Sequence, residues 1–218
     1  MADPEANSLP RSPIRQSALR RVIDVAVAAT GLALTWWIGV IAAVAVRLSS
    51  PGPVLYGATR AARGHGTFTL YKFRSMVVDA DRVGPAVTIG ADPRVTRVGA
   101  ILRATKLDEW PQLWNVLVGD MSLVGPRPED PRYVEQYSAD QRPIMEARPG
   151  ITSPASVRYR HESAELRRLV DGGLDLEEAY ATILDEKLRM DLDYLRRRSV
   201  CSDLSVIGAT LAAVARRD

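Results

Sequence analysis

Two adjacent carboxylates, Asp108 and Glu109, lie in the run Leu102-Arg103-Ala104-Thr105-Lys106-Leu107-Asp108-Glu109-Trp110-Pro111-Gln112-Leu113-Trp114-Asn115, with basic residues before them and an apolar helical pattern after. Asp108 has the side chain of a helix N-cap, and Glu109 and Pro111 suit a first turn. Leu113, Trp114, Val116 and Leu117 supply the apolar face that follows. A helix starting there aims unpaired backbone N–H groups and the positive end of its dipole at the pair. Such an end favours an anionic phosphate and keeps a carboxylate ionised. A carboxylate so placed is a nucleophile or a metal ligand, or it does no more than cap the helix.

The neighbouring residues favour chemistry. Gly119 to Glu129 reads as a short buried strand ending in a rigid turn, in which Pro126 and Pro128 restrict the backbone around Arg127. Upstream, Phe68-Thr69-Leu70-Tyr71-Lys72-Phe73-Arg74-Ser75-Met76 places Lys72 and Arg74 two residues apart, on one side of an extended segment. The planar fork of arginine matches phosphate oxygens. Singly, each of Lys72, Arg74, Arg103 and Arg127 reads as a solvated surface charge. Together, beside an acidic pair, they point to a phosphate substrate and a divalent cation.

Five motifs carry a resemblance: Tyr71 to Met76, Asp92 to Gly99, Leu107 to Leu117, Gly119 to Pro128 and Arg148 to Thr152, in that order. The chain resembles the bacterial monotopic phosphoglycosyl transferases, from about Arg15 to about Ser156 and more loosely to the C-terminus. The resemblance implies transfer of a sugar 1-phosphate from a nucleotide diphosphate sugar, a UDP-sugar, to polyprenyl phosphate. That reaction is the first membrane step in assembling a glycoconjugate such as exopolysaccharide or lipopolysaccharide. It further implies Asp108 as a nucleophile forming an aspartyl phosphosugar, Glu109 as a Mg²⁺ ligand, and Lys72, Arg74, Arg103 and Arg127 as phosphate contacts. The implied location is the cytoplasmic face of the bacterial inner membrane, against membrane lipids, with a homodimer left open. The alternative reading is a catalytically inactive, membrane-anchored scaffold of the same fold.

Composition is compatible with a membrane-surface enzyme. The 218 residues suffice for one domain plus an anchor, and 29 basic against 26 acidic side chains give a formal charge of +3. Such a bias suits phospholipid headgroups or phosphates. No zinc-finger spacing, RNP aromatic pattern or long basic run points to nucleic acid. With Cys201 as the only cysteine, and His65 and His161 as the only histidines, no internal disulfide or Cys/His zinc site can form. No GxGxxG or P-loop motif is present, so a nucleotide would be held through its diphosphate and metal.

Residues 1–17, with Pro4, Pro10 and Pro13, read as a disordered tail. Residues 18–48 read as a membrane anchor: Val22 to Val46 carries Asp24 as its only charge, and a helix of that length measures about 37 Å, enough for a hydrocarbon core of about 30 Å. Arg15, Arg20 and Arg21 precede it and Arg47, Arg60 and Arg63 follow, so the basic residues choose no orientation and allow both ends to be cytoplasmic. The resemblance implies a re-entrant helix bent at a Ser-Pro pair, but Trp36-Trp37 stands there in this chain. A bend would then have to come from Gly31, Thr35 or Gly39, or be absent. A tryptophan pair midway fits a shallow helix better than a straight span, and a re-entrant anchor is expected.

Residues 49–218 read as the catalytic domain, α/β but mostly helical, with too few strands for a doubly wound sheet. Strands are expected after Ser50-Pro51-Gly52-Pro53 and over Phe68 to Phe73. Helices are expected over Thr96 to Ala104 and Asp108 to Val118, with a third over Pro131 to Glu146 interrupted near Pro143. Ala155 to Glu162 departs from many relatives and reads either as part of a sugar pocket or as a surface loop. Leu176, Tyr180, Ile183, Leu184, Leu188, Leu192 and Leu195 mark a core-facing helix. Leu204, Ile207, Leu211 and Val214 mark an amphipathic helix that suits either a membrane surface or the domain itself.

Overall fold

Ser17 caps the first helix by accepting a bond from the Arg20 N–H, and α1 (Ala18–Ser49) then runs unbroken. It belongs to a computed structural model that describes residues 17–80 and 92–215; the expected N-terminal tail lies almost wholly outside the described residues. Among the described residues α1 is the one helix long and apolar enough to cross a membrane. Its 32 residues measure about 48 Å at about 1.5 Å each.

One face of α1 is docked along nearly its whole length. Arg21 donates to the Val116 and Leu117 carbonyls at 2.6 and 2.9 Å. Asp24 accepts from the Ser122 hydroxyl and the Leu123 N–H at 2.8 and 3.1 Å. Ala28 is buried in a cluster with Val116 and Met121, and Ala42 and Val46 are buried with Phe73 and Leu102. These positions recur at helical spacing, so they form a single stripe. Away from that stripe Val22, Leu34, Trp36, Trp37, Ile41 and Leu48 are exposed.

The middle of α1 seats a side chain of the domain. Thr35 Oγ1 donates to the Gly31 carbonyl at 2.6 Å and accepts from the Trp110 indole N–H at 2.8 Å. A Cβ on Gly39 would fall 2.7 Å from the Trp110 ring. Gly39 and Thr35 form a notch for an indole.

The strands β1 (Leu55–Ala61) and β2 (Thr67–Phe73) pair antiparallel, with Leu55 opposite Phe73 and Ala61 opposite Thr67. Helix α2 (Arg97–Ala104) is capped by the Thr96 hydroxyl, and α3 (Gln112–Val118) is fastened to β2 through the fully buried Asn115. Asn115 accepts from the Tyr71 N–H and donates to the Thr69 carbonyl, at 3.1 and 2.8 Å. A second pair, β3 (Ser122–Val124) and β4 (Gly150–Thr152), is parallel. The remaining α-helices among the described residues are α4 (Pro131–Val134), α5 (Pro154–Arg158), α6 (Glu162–Asp171), α7 (Leu176–Arg196) and α8 (Val200–Ala215).

The architecture is thus mostly helical, with two small two-stranded sheets among the described residues. Helix α7 buries Tyr180, Ile183, Leu184, Leu188, Leu192 and Leu195 in the largest core cluster, as their spacing predicts. On α8, Leu204, Leu211 and Val214 are exposed while Ile207 packs on the domain. Two expectations fail. Pro131 to Glu146 is a one-turn helix and a separate 3₁₀ segment (Arg142–Glu146), not one interrupted helix. Asp108 to Val118 is likewise divided, for reasons given below.

Asp24→Leu would leave the Ser122 hydroxyl and Leu123 N–H without these acceptors. The detergent-solubilised variant should lose about 2–3 kcal/mol of stability, whereas Asp24→Asn, which keeps one acceptor oxygen, should lose much less. Equal melting temperatures for the leucine variant and the parent would mean that α1 docks without this contact.

Candidate active site

Asp108 and Glu109 occupy a 3₁₀ turn (Leu107–Glu109) rather than the start of an α-helix. Lys106 enters that turn in the left-handed region, at φ 58° and ψ 14°, which is uncommon for a non-glycine residue. The Glu109 N–H reaches the Lys106 carbonyl and the Trp110 N–H reaches the Leu107 carbonyl, at 3.2 and 3.1 Å. These backbone donors are therefore satisfied within the turn, and Asp108 caps nothing. Helix α3 starts only after Pro111, which makes no side-chain cap.

The expected stabilisation of Asp108 by a helix N-terminus is absent, since the residue sits in a 3₁₀ turn and is buried. Asp108 is 6% exposed, and its Oδ1 is buried without a hydrogen-bond partner. Loss of water raises its carboxyl above the usual range, opposed by the charge of Lys72. Glu109 differs. Burial disfavours its charge too, but Arg127 and Lys72 outweigh that and hold it far below the usual carboxylate range. Lys72 Nζ and Arg127 Nη2 each stand 2.9 Å from the same oxygen, Oε1. Desolvation lowers the Lys72 ammonium while Glu109 raises it, and the desolvation prevails.

These side chains line a cavity of about 430 Å³. Asp108, Glu109, Lys72, Arg103 and Arg127, singled out from the sequence, all face it, joined by Lys106 and Arg60. Arg74 does not. Strand β2 ends at Phe73, and the Arg74 N–H bonds the Val54 carbonyl at 2.9 Å. Its side chain turns away to the end of α1, where Nη2 donates to the Ser50 carbonyl and hydroxyl at 2.8 and 2.9 Å. In this structure Arg74 thus hooks the end of α1, away from the cavity lined by the other predicted cations.

Part of the cavity lining was not foreseen. It carries Glu129, Tyr133, Tyr159, Glu162, Tyr180 and Lys187. Lys187 is 5% exposed and lies on the same face of α7 as the core residues Ile183, Leu184 and Leu188. A charge on an apolar stripe was the available signal, since a lysine is seldom buried without a partner. Ser156, Tyr159, Arg160 and Glu162 also face the cavity, so the Ala155 to Glu162 segment contributes to its wall.

Among the described residues no group of three or more His, Cys, Asp or Glu is arranged for a metal ion. Mg²⁺ does not require one, because it commonly takes one or two carboxylates together with substrate phosphates and water. The unpartnered Asp108 Oδ1 beside Glu109 fits that donor set.

A family model described as bacterial sugar transferase matches residues 15–217. The chain is 38% identical to a UDP-glucose:undecaprenyl-phosphate glucose-1-phosphate transferase of Caulobacter vibrioides, over 96% of this chain and 75% of that one. It is 43% identical to a putative undecaprenyl-phosphate N-acetylgalactosaminyl 1-phosphate transferase of Bacillus subtilis, over 60% of this chain and 73% of that one. A UDP-glucose:undecaprenyl-phosphate glucose-1-phosphate transferase of Escherichia coli is 35% identical over 95% of this chain, which covers 44% of that protein.

A buried carboxylate with a raised pKa is a burden on the fold. Its charged form is disfavoured, so stability falls as pH rises from the unfolded carboxylate's range through the higher folded value. Asp108→Asn removes that charge at nearly constant shape. The variant should be more stable than the parent at pH 8, by up to about 2 kcal/mol, with the gain shrinking as pH is lowered. Melting curves across that range would refute this if Asp108→Asn were less stable at pH 8.

Proposed function

We propose, for a chain that belongs to the bacterial sugar transferase family and is a phosphoglycosyl transferase, that Asp108 is the nucleophile in a two-step transfer of a sugar 1-phosphate from a UDP-sugar to polyprenyl phosphate. The observation that carries this reading is the buried, unpartnered Asp108 Oδ1 in a cavity shared with Lys72, Arg103 and Arg127. The relatives compared differ in the sugar named, so the sugar is left open.

In the first step an Asp108 oxygen attacks the phosphorus bonded to the sugar. An aspartyl O–P bond forms, the P–O bond to the nucleoside monophosphate breaks, and that monophosphate leaves with the electron pair. In the second step an oxygen of polyprenyl phosphate attacks the same phosphorus and releases Asp108 as a carboxylate. Neither step moves a proton. A diphosphate repels an approaching anion, so Lys72, Arg103 and Arg127 must spread its charge as the new bond forms. Glu109 holds Lys72 and Arg127 in place and would hold Mg²⁺, which would supply further charge neutralisation.

The anchor is read as re-entrant, with the domain on the cytoplasmic face of the inner membrane. Support comes from the docking of both ends of α1 on one body, Arg21 at α3 and Val46 against Phe73 and Leu102. A straight span would have to detach one end. The exposed face with Trp36 and Trp37 suits the interface, and the apolar side of α8 offers a second contact.

Asp108→Asn should remain folded yet lose at least about three orders of magnitude in nucleoside monophosphate release, and form no sugar-phosphate adduct in intact mass. Near-normal turnover would move the nucleophile elsewhere. Glu109→Gln should lose activity with partial rescue at raised Mg²⁺; indifference to the metal would leave Glu109 only its hold on Lys72 and Arg127. In a Cys201→Ser background, Ala18→Cys and Ser49→Cys should both react with a thiol reagent only from the cytoplasmic side. Periplasmic labelling at residue 18 would make α1 a span.

A further inference from the structure

A second group of residues lining the cavity is built around carboxylates. Glu129 and Glu162 share one ammonium, with Lys187 Nζ 3.7 Å from Glu129 and 3.2 Å from Glu162. Glu129 Oε2 also accepts from the Tyr180 hydroxyl at 2.8 Å. Both carboxylates also lie in the field of Arg127, so the group is close to charge balance and offers acceptor oxygens rather than a free cation. It is suited to a neutral ligand rich in O–H donors.

The carboxylates retain capacity for such a ligand. Each oxygen accepts about two bonds, so Lys187 and Tyr180 do not exhaust them. They are also held in place. The Glu129 carbonyl accepts from the Ala61 N–H at 2.9 Å, and Lys187 is almost fully buried. Asp191, one turn along α7, accepts from the Ala155 N–H at 3.1 Å and so ties down the segment that leads to Glu162. A network serving only to join α6 to α7 would gain by being apolar, since burying ions is costly. This one instead opens onto the cavity, where the Glu162 side chain is 27% exposed.

We propose that Glu129 and Glu162 accept hydrogen bonds from vicinal hydroxyls of the nucleotide sugar and thereby select the substrate. The inference rests on the phosphoglycosyl transferase reading above. Such hydroxyls occur both on the transferred hexose and on the nucleoside ribose, and the test separates the two.

Full-length protein in detergent, as the parent and as Glu129→Gln and Glu162→Gln, is assayed for kcat/KM with UDP-glucose and UDP-galactose, which differ only at one hydroxyl-bearing carbon. Inhibition by UMP, which has the ribose and no hexose, is measured alongside. If the hexose is held, the UDP-glucose to UDP-galactose ratio should shift by about tenfold with UMP inhibition unchanged. If the ribose is held, UMP inhibition should weaken by about tenfold and both sugars should decline together. Either result supports the proposal. It is overturned if folded Glu162→Gln alters neither quantity, or if turnover falls equally for both sugars with UMP inhibition intact, as a purely structural network predicts. Glu162 is more exposed than Glu129, so that variant remains informative if Glu129→Gln fails to fold. A parent enzyme that releases no UMP from any UDP-sugar would sink the transferase reading first, before any variant is compared.

Discussion

The seat of Trp110 in the notch of α1 determines where the reactive turn stands. Its indole donates to Thr35 and covers Gly39, and its ring stacks on Phe73 with centroids 6.1 Å apart and planes at 15°. Phe73 ends the strand that carries Lys72, and Trp110 follows Glu109 directly. One aromatic pair therefore joins the middle of α1, the lysine-bearing strand and the two carboxylates. The chain cannot shift Asp108 relative to α1 without unseating that indole. In the proposed reaction this fixes the depth at which a soluble nucleotide sugar and a membrane-bound phosphate meet.

The electrostatics of the turn divide labour between two adjacent residues of the same charge. Glu109 is stabilised as an anion by two cations on one oxygen, and this in turn restrains Lys72 and Arg127 at the cavity. Asp108 lacks such partners and is kept uncomfortable by burial. An anion that is poorly solvated and not hydrogen-bonded is a better nucleophile than a satisfied one, at a cost to folding. Such trade-offs between stability and reactivity are characteristic of functional sites. The left-handed Lys106 immediately upstream adds backbone strain at the same place.

Much of this was legible in the sequence because it followed from local spacing. The β2 strand, the capped α2, the buried β3 before Pro126 and the apolar stripe of α7 all rest on period and punctuation, and they stand where those signals placed them. What escaped depended on tertiary partners. Asp108 looked like an N-cap because Asp before a proline and an apolar run usually is one; the need to seat Trp110 against α1 accompanies a tighter 3₁₀ turn there instead. Arg74 was placed beside Lys72 by strand alternation, but the strand ends one residue too soon. Asp24 read as a lone charge in an apolar segment, and only the fold reveals Ser122 and Leu123 as its partners. The wall of Glu129, Glu162 and Lys187 unites residues far apart in the chain, which no local pattern joins.

The absence of a proline in α1 bears on topology less than the sequence suggests. A kink redirects a helix, but what keeps its two ends on one side of a bilayer is whatever each end is fastened to. Here the N-terminal part is fastened by Arg21 and Asp24, the middle by Trp110, and the C-terminal part by Val46 in a core cluster and by Arg74 at Ser50. Intramolecular hydrogen bonds contribute roughly 1 kcal/mol each, and more where a charged group takes part. Pulling the N-terminal half away to span would sacrifice several of them and strand Asp24 in hydrocarbon, at an insertion cost of about 2.5–3.5 kcal/mol if it reached the centre. Covering the exposed Val, Leu, Ile and Trp face with lipid requires neither loss. Attachment along one face can thus stand in for the bend expected of a re-entrant helix, and Trp36 and Trp37 then lie on the outward side of the helix, where an interface suits them.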